Sequence, residues 1–219
     1  AGKTHTLYQK INSLLDKGVS KEQILFVDFE DERLLPMTVK QMGELLDAHY
    51  SLYPKNHTRK CYFFLDEVQN IPNWHQVVRR YHNSNKVHLT ITGSSAKLLS
   101  TEINTSLRGR SLSVNIMPYS FDEFRIAHKL TAPQPPFGKQ AYDVATQHMM
   151  EFFTKGGFPA VQHMNTYEWR ETLQGYIDSV ILRDVIERHN ISNVALLKYL
   201  TKTLLINAAS PFSIHKFFK

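Results

Sequence analysis

The run Tyr62-Phe63-Phe64-Leu65-Asp66-Glu67 constrains this chain more than any other stretch. Continuous apolar residues with no polar alternation suit a strand covered on both faces, which is the situation of a parallel sheet. Two carboxylates follow at once, so such a strand must end where charge can be solvated or matched by a cation. Similar short apolar runs lie at 24–29 and 87–91, and each is preceded by a segment with helical spacing. Leu7, Ile11, Leu14 and Leu15 predict a helix over 4–17, stopped by Gly18. Met42, Leu45, Leu46 and Tyr50 predict a second helix over 39–52. A third is expected over 73–81, with Asn73 behind Pro72 as its N-cap. Leu112, Val114 and Ile116 predict a further strand over 112–116, followed by a short helix over 121–127. Strands alternating with helices imply an α/β fold with a mostly parallel sheet.

Beyond residue 128 the pattern changes. Residues 129–140 hold three of the nine prolines and read as a linker. From there on only helices are expected, over 142–153, 167–189 and 194–207, with Gly156-Gly157-Phe158-Pro159 as a helix break. The expected layout is a sheet-containing core over 1–128, a Pro-rich linker over 129–140 and a helical C-terminal domain over 141–219.

The 219 residues carry a net charge of +6, but the excess is spread as +1 over 1–60, +2 over 61–128 and +3 over 129–219. There is no Lys/Arg run, so charge permits nucleic-acid contact without arguing for it. No apolar run reaches the roughly 20 residues of a membrane helix, and the polar start does not resemble a signal peptide. The lone Cys61 excludes an internal disulfide and points to a reducing, cytoplasmic setting. It sits in a strand-like run, as a buried structural thiol would. The eleven histidines show no metal-ligand spacing.

Four motifs carry chemistry. Gly2-Lys3-Thr4 opens a helix, where backbone N–H groups and the helix dipole favour phosphate, a lysine can reach it, and a hydroxyl can hold Mg²⁺. The full phosphate-loop pattern has an earlier glycine separated from this Gly-Lys-Thr by four residues, and a strand before that. The string begins at Ala1, so the sheet is expected to lack its first strand and most of that loop, and an isolated chain to be a poorly stable, impaired fragment. Asp66-Glu67 at a strand end suits metal binding by Asp66 and polarisation of water by Glu67. Thr92 and Ser94, one strand later in Ile91-Thr92-Gly93-Ser94-Ser95, can each touch a phosphate or the attacking water, or simply shape a turn. Arg108 and Arg110 flank Gly109, and either can offer a guanidinium to phosphate; Arg110 is preferred.

Leu-Asp-Glu-Val-Gln-Asn-Ile-Pro-Asn-Trp (65–74), Ile-Thr-Gly-Ser-Ser-Ala-Lys-Leu-Leu-Ser (91–100), Leu-Arg-Gly-Arg (107–110) and Pro-Tyr-Ser-Phe-Asp-Glu-Phe (118–124) resemble a prokaryotic family of AAA-type P-loop ATPases. Gly-Gly-Phe-Pro-Ala-Val (156–161), Arg-Asp-Val-Ile-Glu-Arg-His-Asn-Ile (183–191) and Ser-Pro-Phe-Ser-Ile (210–214) are similar to that family's C-terminal domain, which has no settled function. The resemblance implies a P-loop NTPase sheet followed by an all-helical part. It implies ATP and Mg²⁺ as ligands, with Gly2, Lys3 and Thr4 on phosphate and Thr4 and Asp66 on the metal. It further implies Glu67 as catalytic base, Ser94 as sensor and Arg110 as arginine finger. The expected function is ATP hydrolysis coupled to movement of the helical part. The rival is a nucleotide-gated module that grips a protein or DNA partner with little or no hydrolysis. Self-association is compatible with both.

Overall fold

A computed structural model describes residues 2–84, 86–93, 110–187 and 190–217. The chain divides into two compact units, Ala1–Pro159 and Ala160–Lys219.

In the first unit the described elements run α1 (Lys3–Asp16), β1 (Ile24–Asp28), α2 (Val39–Leu52), β2 (Cys61–Asp66), α3 (Trp74–Asn83), β3 (Val87–Ile91), α4 (Phe121–Ala127) and α5 (Lys139–Lys155). The three strands form one parallel sheet in the order β1-β2-β3. The α/β reading and the three expected strands are therefore observed, with β2 buried and its two neighbours largely half-buried.

Register explains which residues face which layer. Leu25 pairs with Phe63 and Val27 with Leu65, while Val87 pairs with Cys61 and Leu89 with Phe63. Side chains alternate along a strand, so these residues share one face. There they join Met42 of α2 and Trp74, Val77, Val78 and Tyr81 of α3 in the main core. Cys61 is fully buried in this layer, and burial pushes its thiol up from the ordinary value. Tyr81 donates from its hydroxyl to the Met42 carbonyl and accepts from the Leu46 N–H, so burial pushes its pKa up to about 12 without stranding the oxygen.

The opposite face carries Phe26, Tyr62, Phe64, Asp66, His88 and Thr90, and α1 covers it. Tyr8 packs against Phe26 with ring centres 5.3 Å apart. Lys10 Nζ donates to Thr90 Oγ1 at 3.0 Å. Because parallel strands all point one way, Asp66 lies at the C-terminal edge of β2 on the same face as α1.

Two local expectations need correction. Residues 112–116 are not a strand: Leu112 and Val114 are 93% and 68% exposed, and no described strand pairs with the segment. Alternating apolar residues signal a strand face, but a strand exists only through its ladder of backbone bonds. Asn73 does precede α3, yet its backbone is left-handed (φ 60°) and its side chain makes no capping bond.

Beyond the sheet, Ser120 and Glu123 form a reciprocal capping box at the start of α4. Phe124 of α4 packs edge-on against Phe152 of α5, with ring centres 5.3 Å apart. Helix α5 ends at Gly156 (φ 74°), a positive angle that a glycine adopts without strain, and the expected helix break is there. Gly157 is held close to the preceding chain, because its carbonyl accepts from the Tyr119 N–H at 2.7 Å.

The second unit is helical, as expected. Helix α6 (Thr166–Ser179) starts at an Asn165–Glu168 capping box and runs into a π-helical segment, Val180–Glu187. Helix α7 (Val194–Ile206) is capped by Asn193, and Tyr199 stacks on Phe217 of the short α8 (Ile214–Phe217) at 5.4 Å. The single helix expected over 167–189 thus changes its winding at Val180. None of the described helices is long and apolar enough to cross a membrane.

Candidate functional site

The site forms where α1 begins and β2 ends. Gly2 has φ 92°, and a Cβ there would lie 3.3 Å from Ile116 Cγ2, so both backbone angle and space favour glycine. Immediately after it, Lys3 and Thr4 form the first turn of α1. A helix N-terminus leaves its first N–H groups without partners in the helix and carries partial positive charge. The sheet edge opposite carries Asp66 and Glu67, which are 1% and 8% exposed.

The two ends meet directly. Thr4 Oγ1 donates to Asp66 Oδ2 at 2.6 Å, joining residues 62 positions apart. Lys3 Nζ lies 3.5 Å from Glu67 Oε1. The other carboxylate oxygens are engaged as well: Thr92 Oγ1 donates to Asp66 Oδ1, and Gln69 Nε2 donates to Glu67 Oε2. Glu67 itself has a left-handed backbone (φ 50°, ψ 47°), which is unfavourable for a side chain with a Cβ and turns the chain sharply out of the sheet.

Four residues expected to share a site therefore do: Lys3, Thr4, Asp66 and Glu67, with Gly2 beside them. Arg110 is exposed, and among the described residues no hydrogen bond or ion pair joins its side chain to this group. Ser94 and Arg108 lie outside the described residues. Two partners of the carboxylates carry more weight than their sequence positions indicate. Thr92 was one of two hydroxyl candidates facing phosphate, but it faces the carboxylates. Gln69 stands two residues beyond Glu67 within the acidic motif, and that spacing is its only signal in the sequence.

The residues fit a magnesium–triphosphate. A hydroxyl and a carboxylate within hydrogen-bond distance are hard oxygen donors of the kind Mg²⁺ takes, usually one or two from protein beside phosphate and water. Lysine and a helix N-terminus supply positive charge for phosphate. Lys3 is the cation of this group and pairs with Glu67, while Asp66 is held by the Thr4 and Thr92 hydroxyls, so a bound phosphate would compete with Glu67 for Lys3.

A short parallel sheet with a glycine-lysine-threonine helix tip facing an acidic strand end is consistent with a fold of the P-loop NTPase class. Residues 1–125 match the AAA domain family, and the chain belongs to that family. An alignment with an uncharacterized protein of Methanocaldococcus jannaschii is 37% identical over 216 residues, covering 98% of this chain and 46% of that protein. An uncharacterized protein of Haemophilus influenzae is 30% identical over 198 residues, covering 90% of this chain and 47% of that protein. The chain thus spans about half the length of these relatives. No solved structure matches it.

Proposed function

We propose that this protein binds ATP with Mg²⁺ and hydrolyses it. The observation that carries this reading is the 2.6 Å bond from Thr4 to Asp66, with Lys3 on Glu67 beside it. Lys3 and the first N–H groups of α1 bind the phosphate oxygens. Thr4 and Asp66 hold the metal, which when bound offsets negative charge on the phosphates. Glu67, released from Lys3 by the incoming phosphate, orients a water and accepts its proton as the water oxygen attacks the γ-phosphorus. The bond to the bridging oxygen breaks, and ADP and inorganic phosphate leave. Ser94 is the proposed sensor of the γ-phosphate and Arg110 the proposed finger. Residues 1–128 serve as the nucleotide-binding core, and hydrolysis moves the helical part beyond the 129–140 linker. A cytoplasmic setting fits the lone buried thiol.

The test is Glu67→Gln in the full-length protein. Nucleotide affinity should stay within a few-fold, while phosphate release falls by at least about 100-fold, the lower range for loss of a general base. Undiminished release would remove Glu67 from that role.

One observation favours a second reading. Both carboxylate oxygens of Glu67 are engaged, by Lys3 and by Gln69. A base held this way suits a nucleotide-gated module that hydrolyses slowly and grips a protein or DNA partner, or another copy of itself. Tight, salt-sensitive DNA binding without turnover would decide for it.

A further inference from the structure

Thr92 holds the acidic strand end by four consecutive residues. Its N–H donates to the Leu65 carbonyl at 2.9 Å, and its own carbonyl accepts from the Val68 N–H at 3.1 Å. Its hydroxyl accepts from the Glu67 N–H at 3.2 Å and donates to Asp66 Oδ1. The sheet register places it there: Ile91 pairs with Leu65, so the next residue stands beside Asp66 and on its face.

A hydroxyl has a single proton. Here that proton is committed to Asp66, and a lone pair is committed to the amide of Glu67, whose backbone is left-handed. With Thr4 donating to the other oxygen, the Asp66 carboxylate is fixed from both sides. The same hydroxyl anchors the peptide that launches Glu67. Groups that orient a metal-binding carboxylate commonly matter nearly as much as the ligand itself.

We propose that Thr92 is a positioning residue: its hydroxyl sets the Asp66 carboxylate for metal and the Glu67 backbone for water, and it does not sense phosphate. This rests on the ATPase reading above and refines its metal site. Thr92→Val keeps the shape and both backbone bonds but removes the hydroxyl, whereas Thr92→Ser keeps the hydroxyl.

The experiment measures ATP affinity of the full-length protein with magnesium and with EDTA, together with thermal melting. In Thr92→Val, metal-free ATP affinity should stay near the parent, while melting falls by several degrees, because a bond to the buried Asp66 carboxylate is lost. The magnesium concentration giving half of the metal-linked gain in affinity should rise about 10- to 100-fold. Thr92→Ser should restore it to within a few-fold. Parent-like magnesium dependence in Thr92→Val overturns the role of Thr92 and leaves the ATPase reading standing. Loss of metal-free ATP binding in Thr92→Val, or failure of serine to restore, reduces Thr92 to fold support and also overturns it. A parent protein with no magnesium-linked ATP binding overturns the nucleotide reading, and the role of Thr92 with it.

Discussion

The bond between Thr4 and Asp66 can be weighed without any nucleotide present. Thr4→Val replaces a hydroxyl by a methyl at nearly constant shape, and threonine and valine differ little in helix propensity. The main loss is therefore the 2.6 Å bond to a carboxylate that is 1% exposed. A hydrogen bond to a charged group is worth about 1.5–3 kcal/mol, and a buried carboxylate left short of a donor keeps its desolvation cost. For a chain of this size each kcal/mol moves the melting temperature by about 2–4 °C. The nucleotide-free protein should thus melt about 3–12 °C lower. Because other contacts also change, the decisive form is a double-mutant cycle with Asp66→Asn, read by calorimetry or circular dichroism. The coupling should exceed about 1 kcal/mol, with Thr4→Val costing much less once Asp66 is asparagine. Equal shifts in both backgrounds, or none in either, would refute the direct contact and with it the geometry of the site.

Two further outcomes test the surrounding fold. His49 is buried, and its Nε2 lies 3.1 Å from Asn56 Nδ2, which also donates to the Glu22 carbonyl at 2.6 Å. A carbonyl only accepts, so the amide nitrogen is fixed as donor and the ring must be neutral. Burial accordingly lowers the His49 pKa below its ordinary 6.5. The unfolded chain takes up this proton first, so stability is full above about pH 6.5 and declines as pH falls below it. His49→Gln should flatten the melting-temperature profile between pH 7 and 5.5, leaving a residue from His88, whose pKa is lowered by burial and then by Lys10 and Lys60; an unchanged slope would contradict this. At Gly43 of α2, a Cβ would overlap Arg80 Nη2, whose guanidinium donates to the Gly43 carbonyl. Gly43→Ala should cost about 1 kcal/mol in the parent but stabilise by about 0.5–1 kcal/mol in an Arg80→Ala background, where only helix propensity remains; a cost in both would refute the Arg80 contact.

Much of the site was legible because its chemistry and its topology share a signal. An apolar run ending in Asp66-Glu67 reports both a buried strand and where that strand ends, and Gly2-Lys3-Thr4 reports both a helix start and a phosphate preference. Parallel pairing then brings the two ends together without further information. What the letters could not show was set by register, backbone angle or neighbours. Leu112, Val114 and Ile116 alternate as a strand would, but alternation is silent about pairing. Asn73 is a good capping residue by type, yet its left-handed backbone takes its side chain out of that role. The direction of the Thr92 hydroxyl follows only once Ile91 is known to stand beside Leu65. Gln69 looks like filler until Glu67 turns left-handed and brings the two side chains together.

A crystal structure of the full-length protein with magnesium and a non-hydrolysable ATP analogue probes the centre of this account most directly. The expected result is Lys3 transferred from Glu67 to a phosphate oxygen, with the metal held by the Thr4 hydroxyl and, directly or through water, by Asp66. A nucleotide bound elsewhere, with Lys3 still on Glu67 and Thr4 still on Asp66, would contradict it.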